Sequence, residues 1–266
     1  MIGLSLSRRL QRALLVALLL GLWAPVKVMW EEGISREQND LRYQGMTITR
    51  QLRDQLGQGL TIGVLSGMRN VVADFIYVIN VTLAWENQEW FRMESYINLC
   101  TTLQPRSIPF WDGGGWQLAW NASVGAMRDV NQPTKLRRLH ASRYWINKGL
   151  DVYLRGIANN PEHYRLWADT GQLYQQRLSD FPKAAYYYEQ ASLRPDCPTY
   201  YERFPAIMYA NAGDEQASYD AWVRLWKRLT PSQRAEPLHQ GDRIESNIRR
   251  LEKKLSVPPE KRIFPN

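Results

Sequence analysis

Cysteine and histidine are scarce in this chain, which has two cysteines and three histidines in 266 residues. Two cysteines exclude a disulfide framework and a four-cysteine zinc or iron–sulfur site. The sequence also lacks the H-E-x-x-H, G-x-S-x-G and C-x-x-C motifs that mark metal or nucleophile sites. We therefore expect no metal, no cofactor and no catalysis. Cys100 and Cys197 are expected to be free, buried thiols rather than a disulfide on an exported side.

The composition is that of a folded protein with a basic excess. Apolar residues make up 44% and charged residues 23%, close to globular averages, and the formal net charge is +8. The length allows one or two domains with a sizeable core. Near the C-terminus glutamates alternate with the lysines and arginines, which indicates a solvated helix face. Nucleic acid is therefore not an expected partner.

The N-terminus carries a basic start followed by an apolar run. Arg8, Arg9 and Arg12 precede residues 13–26, and an apolar stretch of spanning length runs from Leu10 to Trp30. A cleaved signal peptide is one interpretation, but no A-x-A-like site follows. We favour an uncleaved single-pass anchor over 1–30 that contacts the membrane through residues 8–30. The positive-inside rule then places the N-terminus in the cytoplasm and the rest on the periplasmic or extracellular side.

Residues 31–66 are expected to form a helical linker or packing segment. The segment is polar and charged but carries a partial apolar stripe, which is typical of a helix that packs on one side. Glycines then interrupt the helical pattern. The stripe consists of Leu41, Met46, Ile48, Leu52 and Leu56, and the glycines are Gly57, Gly59, Gly63 and Gly67.

A spacing recurs along the remainder of the chain. A proline is followed six residues later by an aromatic residue, and two of these prolines lie 34 residues apart. The pairs are Pro105 with Trp111, Pro161 with Trp167, and Pro195 with Tyr201. The clearest copy, from Tyr164 to Pro195, adds small and aromatic residues at fixed positions. These are Gly171 and Tyr174 on its first helix, and Ala184, Tyr188 and Ala191 on its second.

In these residues the chain resembles the tetratricopeptide repeat (TPR) family, whose unit is two antiparallel helices in 34 residues. The resemblance covers about residues 70–231, in copies starting at Asp74, Ile108, Tyr164 and Pro198. Thr170 and one extra residue near 178–181 depart from the pattern, and the second copy holds an insertion of about twenty residues near 124–140. The resemblance implies an all-α, TPR-like α-solenoid of about four helix pairs over 67–240. A capping helix and a mobile basic tail are expected over 241–266.

Two further features are assigned to structure rather than chemistry. Gly113, Gly114 and Gly115 are followed by Trp116 instead of the lysine of a phosphate loop, so we predict close helix packing there. His163 lies between repeats and is expected to act as a turn or cap residue.

Fold alone does not determine function, but TPR proteins commonly bind partners along the concave face of their first helices. Carrying that face onto this sequence predicts a binding surface of aromatic and polar residues. These are Trp85, Glu86, Asp112, Trp116, Trp120, Arg165, Gln172, Gln176, Glu202 and Tyr209.

The sequence thus predicts a membrane-anchored scaffold or adaptor that binds a protein or peptide partner, or supports an envelope complex, without catalysis. One alternative is an envelope glycan-binding module that stacks sugar rings on the predicted aromatic residues. A hydrolase or transferase that merely carries repeats is a third hypothesis, for which the sequence offers no nucleophile.

Overall fold

The computed structural model describes residues 67–264, and every regular element in that range is helical. The all-α prediction is therefore confirmed for this part of the chain. Residues 67–86 and 91–104 form one compact unit, and residues 87–90 and 105–264 form a second. The predicted anchor over 1–30 and the linker over 31–66 lie outside the described residues. Within 67–264, no helix is both long and apolar enough to cross a membrane.

The first unit is a pair of antiparallel helices. Helices α1 (Arg69–Phe75) and α2 (Thr82–Glu86) are joined by a π-helical turn, Ile76–Val81, into one continuous helix. Helix α3 (Trp90–Leu103) returns alongside it. Cys100 Sγ donates to Ala73 O at 3.4 Å, and Gln104 Nε2 donates to Asn70 O at 2.9 Å. Later residues of α3 thus contact earlier residues of α1, so the two helices run in opposite directions.

Both cysteines are free thiols, as predicted. Cys100 is fully buried and Cys197 is half-buried. Burial raises the pKa of the Cys100 thiol to about 12 and that of Cys197 to about 11. Both side chains are therefore protonated at neutral pH and are poor nucleophiles.

The second unit consists of helices in chain order that each pack on a neighbour. The helices are Ile108–Trp116 (α4), Ser123–Arg128 (α5), Lys135–Asn159 (α6), Tyr164–Leu173 (α7), Phe181–Ser192 (α8), Phe204–Asn211 (α9), Glu215–Arg228 (α10), Pro231–Ala235 (α11) and Gly241–Lys254 (α12). There are also π-helical turns at Gln117–Ala122 and Tyr174–Leu178, and 3₁₀ turns at Thr199–Arg203 and Pro259–Lys261. Helix α4 packs on α6, α6 on α7, α7 on α8, α8 on α9, α9 on α10 and α10 on α12.

Side-chain caps set where several of these helices begin. Thr134, Asp180, Asp214 and Thr230 each accept a hydrogen bond from the backbone N–H three residues ahead. Such caps satisfy amide groups that have no partner inside the helix. His163 caps α7 through Nδ1, which accepts from the Arg165 amide at 3.4 Å, so its predicted cap role is confirmed.

The predicted insertion near 124–140 lengthens two helices rather than forming a long loop. The first helix of this pair continues through its π-helical turn into α5, and α6 begins at Lys135. Only residues 129–134 remain between them. Since α5 and α6 pack together, the inserted residues extend the same antiparallel pair.

Glycine allows α4 and α6 to approach closely, as predicted for Gly115. A Cβ added at Gly149 would lie 2.6 Å from both Ala119 Cβ and Gly115 O. A Cβ added at Gly115 would lie 2.3 Å from the Tyr153 ring. No real Cβ tolerates such distances, so these positions hold the two backbones together without room for a side chain.

The proline-to-aromatic spacing corresponds to one hydrogen bond that occurs twice. Trp111 Nε1 donates to Pro105 O at 2.8 Å, and Trp167 Nε1 donates to Pro161 O at 3.0 Å. Each proline carbonyl also accepts a second hydrogen bond, from a residue just after the second helix of the same helix pair. The second donors are Asn160 Nδ2 at 2.9 Å for Pro105, and Arg194 Nε at 3.1 Å for Pro161.

The C-terminal helix covers the end of the core as expected, but the residues after it are not a free tail. Helix α12 buries Ile244, Ile248 and Leu251. Phe264 then folds back to meet Trp226 edge-on, with ring centroids 5.0 Å apart. The expectation of a mobile tail is therefore wrong as far as residue 264, because these apolar side chains find partners on the core.

We predict that Gly149→Ala is strongly destabilising. Alanine would gain about 1 kcal/mol in helix propensity, but its Cβ would meet backbone atoms that cannot rotate away. We expect a net loss of about 2 kcal/mol in the free energy of unfolding, measured by urea denaturation of the full chain.

Gly171→Ala is the matched control. Its added Cβ would lie 3.0 Å from the Tyr188 ring, which can shift. A Gly149→Ala variant as stable as Gly171→Ala would contradict the close approach of α4 and α6.

Candidate functional site

Helices α4 and α7, the first helices of two successive pairs, lie side by side in the second unit. Asp112 Oδ2, at the middle of α4, lies 2.6 Å from Arg165 Nε, in the first turn of α7. Further along, the Arg177 guanidinium donates to Ala119 O at 3.2 Å and to Ser123 Oγ at 2.6 Å. Residues that come later along the first helix contact residues that come later along the second, so the two helices run in the same direction. We call the residues that follow this seam the α4–α7 surface: Asp112, Trp116, Trp120, Arg165, Asp169, Gln172 and Gln176.

Two tryptophans form the aromatic part of this surface. The Trp116 and Trp120 rings are stacked, with centroids 4.3 Å apart and planes 9° from parallel. Trp116 is the outer ring and keeps 42% of its surface exposed. Trp120 lies in the π-helical turn Gln117–Ala122 and is half-buried. The inner ring therefore supports an indole that presents apolar surface to solvent.

Two carboxylates and one guanidinium form the polar part. Arg165 Nε bonds Asp112 closely and lies 3.9 Å from Asp169 Oδ2. That Asp169 oxygen is buried and has no hydrogen-bond donor. Burial, and then the negative charge of Asp112, raise the pKa of Asp169 well above its usual range, while Arg165 only partly offsets them. The site therefore favours a proton on the carboxyl pair.

Aromatic hydroxyls lie close to the same carboxyl group. Burial and the charge of Asp169 raise the pKa of Tyr188, whose hydroxyl donates to Gln175 Oε1 at 2.7 Å. Tyr188 stacks on Tyr201 with centroids 5.9 Å apart. Asp169 thus interacts electrostatically both with Arg165 and with the tyrosines at positions 188 and 201.

The other predicted residues of the second unit divide into two groups. Gln172 and Gln176 lie three and seven residues after Asp169, so they continue its stripe toward the π-helical turn of α7. Glu202 instead forms an ion pair with Arg228 at 3.2 Å, beside His239 Nδ1 at 3.5 Å. Tyr209 packs partly buried against two hydrophobic clusters. These last two residues therefore join helices to one another.

Trp85 and Glu86 belong to the first unit and lie at the end of α2. Both are exposed, and Trp85 keeps 42% of its surface accessible. The structure thus brings Asp112, Arg165 and Asp169 into contact and stacks Trp116 on Trp120, whereas Trp85 and Glu86 belong to a separate unit.

Asp169 and Arg177 contact the predicted site residues or their helices, but the sequence analysis did not include them. Asp169 lies four residues after Arg165 and three before Gln172, so helical spacing alone places it in the predicted stripe. Arg177 gave no comparable signal, because its partners, Ala119 and Ser123, lie more than fifty residues away along the chain.

The described residues of this area are aromatic, charged and amide side chains rather than a cluster of metal ligands. Within 67–264, no group of three or more histidine, cysteine or acidic side chains is arranged to hold a metal ion. Compared with family models, curated proteins and solved structures, the chain matches none of them. The α4–α7 surface combines an exposed indole face, charged groups and amides, which are the components of a binding site.

We predict that Asp169→Asn makes folding stability less dependent on pH. A raised native pKa contributes stability that is fully present below the unfolded value of about 4 and is lost as pH rises through the native pKa. At pH 9 the asparagine variant should exceed wild type by more than about 1.4 kcal/mol, the equivalent of one pKa unit. The difference should shrink at pH 5, in urea denaturation at both pH values.

Asp151→Asn is the control, since Asp151 is an exposed aspartate that pairs with Arg155 on α6. The free energy of unfolding of this variant should change with pH in the same way as that of wild type. A wild-type chain that gained stability over Asp169→Asn as pH rises would contradict the raised pKa.

Proposed function

We propose that this protein is a membrane-anchored TPR-like scaffold whose α4–α7 surface binds a protein or peptide partner, without catalysis. The proposal joins three parts: a repeat architecture, an aromatic and polar recognition surface, and an anchor in residues 8–30. The exposed, stacked Trp116 is the observation that carries it.

The repeat architecture is supported by features that recur at equivalent positions. The indole-to-proline hydrogen bond occurs at Trp111 and again at Trp167. A π-helical turn then follows in the same helix, at Gln117–Ala122 and at Tyr174–Leu178. With first helices side by side and each helix packed on the next, a TPR-like solenoid is the arrangement that these contacts favour.

The tryptophan stack supports binding because the packing of the helices does not require an exposed indole at position 116. Large aromatic residues at the centre of a recognition surface supply much of the binding free energy. Trp116 keeps 42% of its surface exposed while a second indole fixes its orientation. A partner side chain that covered the outer face would bury apolar area without ordering the ring first.

The polar residues beside the aromatic ring can orient a bound partner through hydrogen bonds. Arg165 remains about half exposed although it holds Asp112. Its guanidinium can therefore donate further hydrogen bonds to a carbonyl or carboxylate of a partner. Gln172 and Gln176 add amide groups along the same stripe, which suits the main chain of a peptide.

The anchor rests on the sequence alone. Arginines before the apolar run favour a cytoplasmic N-terminus, so the proposal places the α4–α7 surface on the outer side. A partner would then be an envelope protein or a peptide exposed there.

We predict that a photocrosslinking phenylalanine analogue (p-benzoylphenylalanine) at position 116 captures a discrete protein in membranes of the native host. The same analogue at Tyr186, another exposed aromatic position on α8, should capture none. Trp120→Ala should reduce the adduct at least fivefold because it removes the supporting ring, whereas Trp120→Phe should retain it. Adducts are read by gel shift and mass spectrometry.

Equal capture at 116 and 186 would contradict partner binding by this surface. An adduct at 116 that carries sugar and no protein would instead favour the glycan-binding alternative.

We also predict that the full chain, tagged at Asn266, sediments with membranes and resists alkaline carbonate extraction. Protease added outside spheroplasts should cut the region after residue 30, and the tag should be lost without lysis. A tag protected until lysis would overturn the outward orientation, and a soluble chain would overturn the anchor.

A further inference from the structure

An apolar face runs along the continuous helix of the first unit, on the side away from its buried residues. Val71, Phe75, Ile79 and Leu83 are exposed by 51%, 54%, 40% and 50%, and Val78 beside them by 67%. The buried side of the same helix holds residues such as Ala73 and Ile76. A helix that is apolar on both sides is normally covered on both.

The spacing of this face indicates that another helix covers it. Positions 71, 75, 79 and 83 are four residues apart, and the wider turn of the π-helical segment Ile76–Val81 keeps them aligned. A continuous row of this kind is the surface into which the side chains of a second helix fit.

In the second unit, the last helix shows how an apolar surface is covered by a helix with one polar face. Helix α12 buries Ile244 and Ile248, and turns exposed Arg249, Arg250 and Lys253 outward. Stacked helices require such polar-faced caps at both ends to remain soluble. Among the described residues of the first unit, none covers the row at 71–83 in this way.

We propose that residues 41–56 of the same chain dock as an antiparallel helix on this face and cap it. Ile48, Leu52 and Leu56 repeat the spacing of four, while Arg50 falls on the opposite side of such a helix. Leu41 falls on the same side as these three residues and Met46 falls on the side of Arg50, so four of the five apolar residues of the stripe share one face. The glycine-containing residues 57–67 provide the turn between the two helices.

Charge complementarity favours this occupant and this direction. An antiparallel pairing that sets Leu52 opposite Phe75 also sets Leu56 opposite Val71 and Ile48 opposite Ile79. The same register brings Arg53 beside Asp74, an exposed acid on α1, and brings Arg42 beside the exposed Glu86. A parallel pairing would lose both of these opposite-charge neighbours.

The short connection favours this segment over a second copy of the chain. Residues 57–67 tether the stripe close to α1, and short flexible tethers give effective concentrations in the millimolar range. Another chain would have to match that concentration to compete for the same face. The proposal is independent of what the α4–α7 surface binds.

Cysteine crosslinking in the full chain, solubilised in detergent, tests the docking. Cys197 is replaced by serine, while Cys100 stays because it is buried and protonated. Leu52→Cys combined with Phe75→Cys should crosslink within one chain under mild oxidation. Arg50→Cys with Phe75→Cys is the matched control and should react at least tenfold more slowly.

A second measurement keeps the test sound if a cysteine pair disturbs folding. Ile48→Gln with Leu52→Gln should speed maleimide labelling of the Phe75→Cys variant about tenfold, with unchanged helical circular dichroism. The control Arg50→Gln with Asp54→Asn should leave the labelling rate unchanged, since both positions lie off the stripe.

Three results would overturn the proposal. Equal crosslinking from positions 50 and 52 would show that the stripe does not face α1. Crosslinks formed mainly between chains would identify a second copy as the occupant. The third result comes from a fluorophore attached to the Phe75→Cys variant in phosphatidylcholine vesicles that contain nitroxide lipids, which quench fluorophores in the bilayer. If the fluorophore is quenched to the same extent with and without Leu52→Gln, the bilayer is the occupant of the face.

Discussion

The close approach of α4 and α6 at Gly115 and Gly149 is the constraint on which the second unit depends. With Gly115 O only 2.6 Å from where a Gly149 Cβ would lie, the two backbones meet without side chains between them. Tyr153 and Trp111 then pack over the neighbouring glycines, so ring positions follow from backbone positions. Because close-packed interiors transmit shifts rather than absorb them, a displacement here would move α4 relative to every helix that follows.

The α4–α7 surface depends on that contact for part of its geometry. Trp116 follows Gly115 directly, so the buried glycine fixes the helix that turns the indole outward. On α7, Arg165 reaches across to Asp112 of α4. The glycine contact between α4 and α6 thus positions the helix that carries both Asp112 and Trp116, although Gly115 and Gly149 do not belong to the surface itself.

Much of this fold was predictable because its signals are local. The spacing of proline and aromatic residues indicated the repeat, and the structure shows that this spacing corresponds to a hydrogen bond within one turn region. Gly171 and Tyr188 also meet, at the positions that the repeat pattern gives to small and aromatic residues. The pairing of Phe264 with Trp226 was not predictable, since nothing near residue 264 marks its partner. In the site, the resemblance to the TPR family implied that Arg165, Gln172 and Gln176 share one face of the first helix, but the burial of Asp169 could not be predicted from it. Glu202 illustrates the converse: its position on a first helix suggested a free side chain, yet Arg228 engages it from α10.

Two departures from what stability alone favours coincide on the α4–α7 surface. An exposed indole stacked on a second one leaves apolar area in water, and a buried carboxyl oxygen without a donor raises the free energy of the folded state. An apolar residue at 169 would remove the second cost, and a polar residue at 116 would remove the first. Sequences are expected to break local rules chiefly where function requires it. Because Asp112 on α4 reaches the same arginine as Asp169 on α7, and Trp116 follows Asp112 by one helical turn, both departures lie within one small area. Their proximity is the reason for proposing that this surface, rather than Glu202 or Tyr209, binds a partner, since the contacts of Glu202 and Tyr209 are accounted for by helix packing.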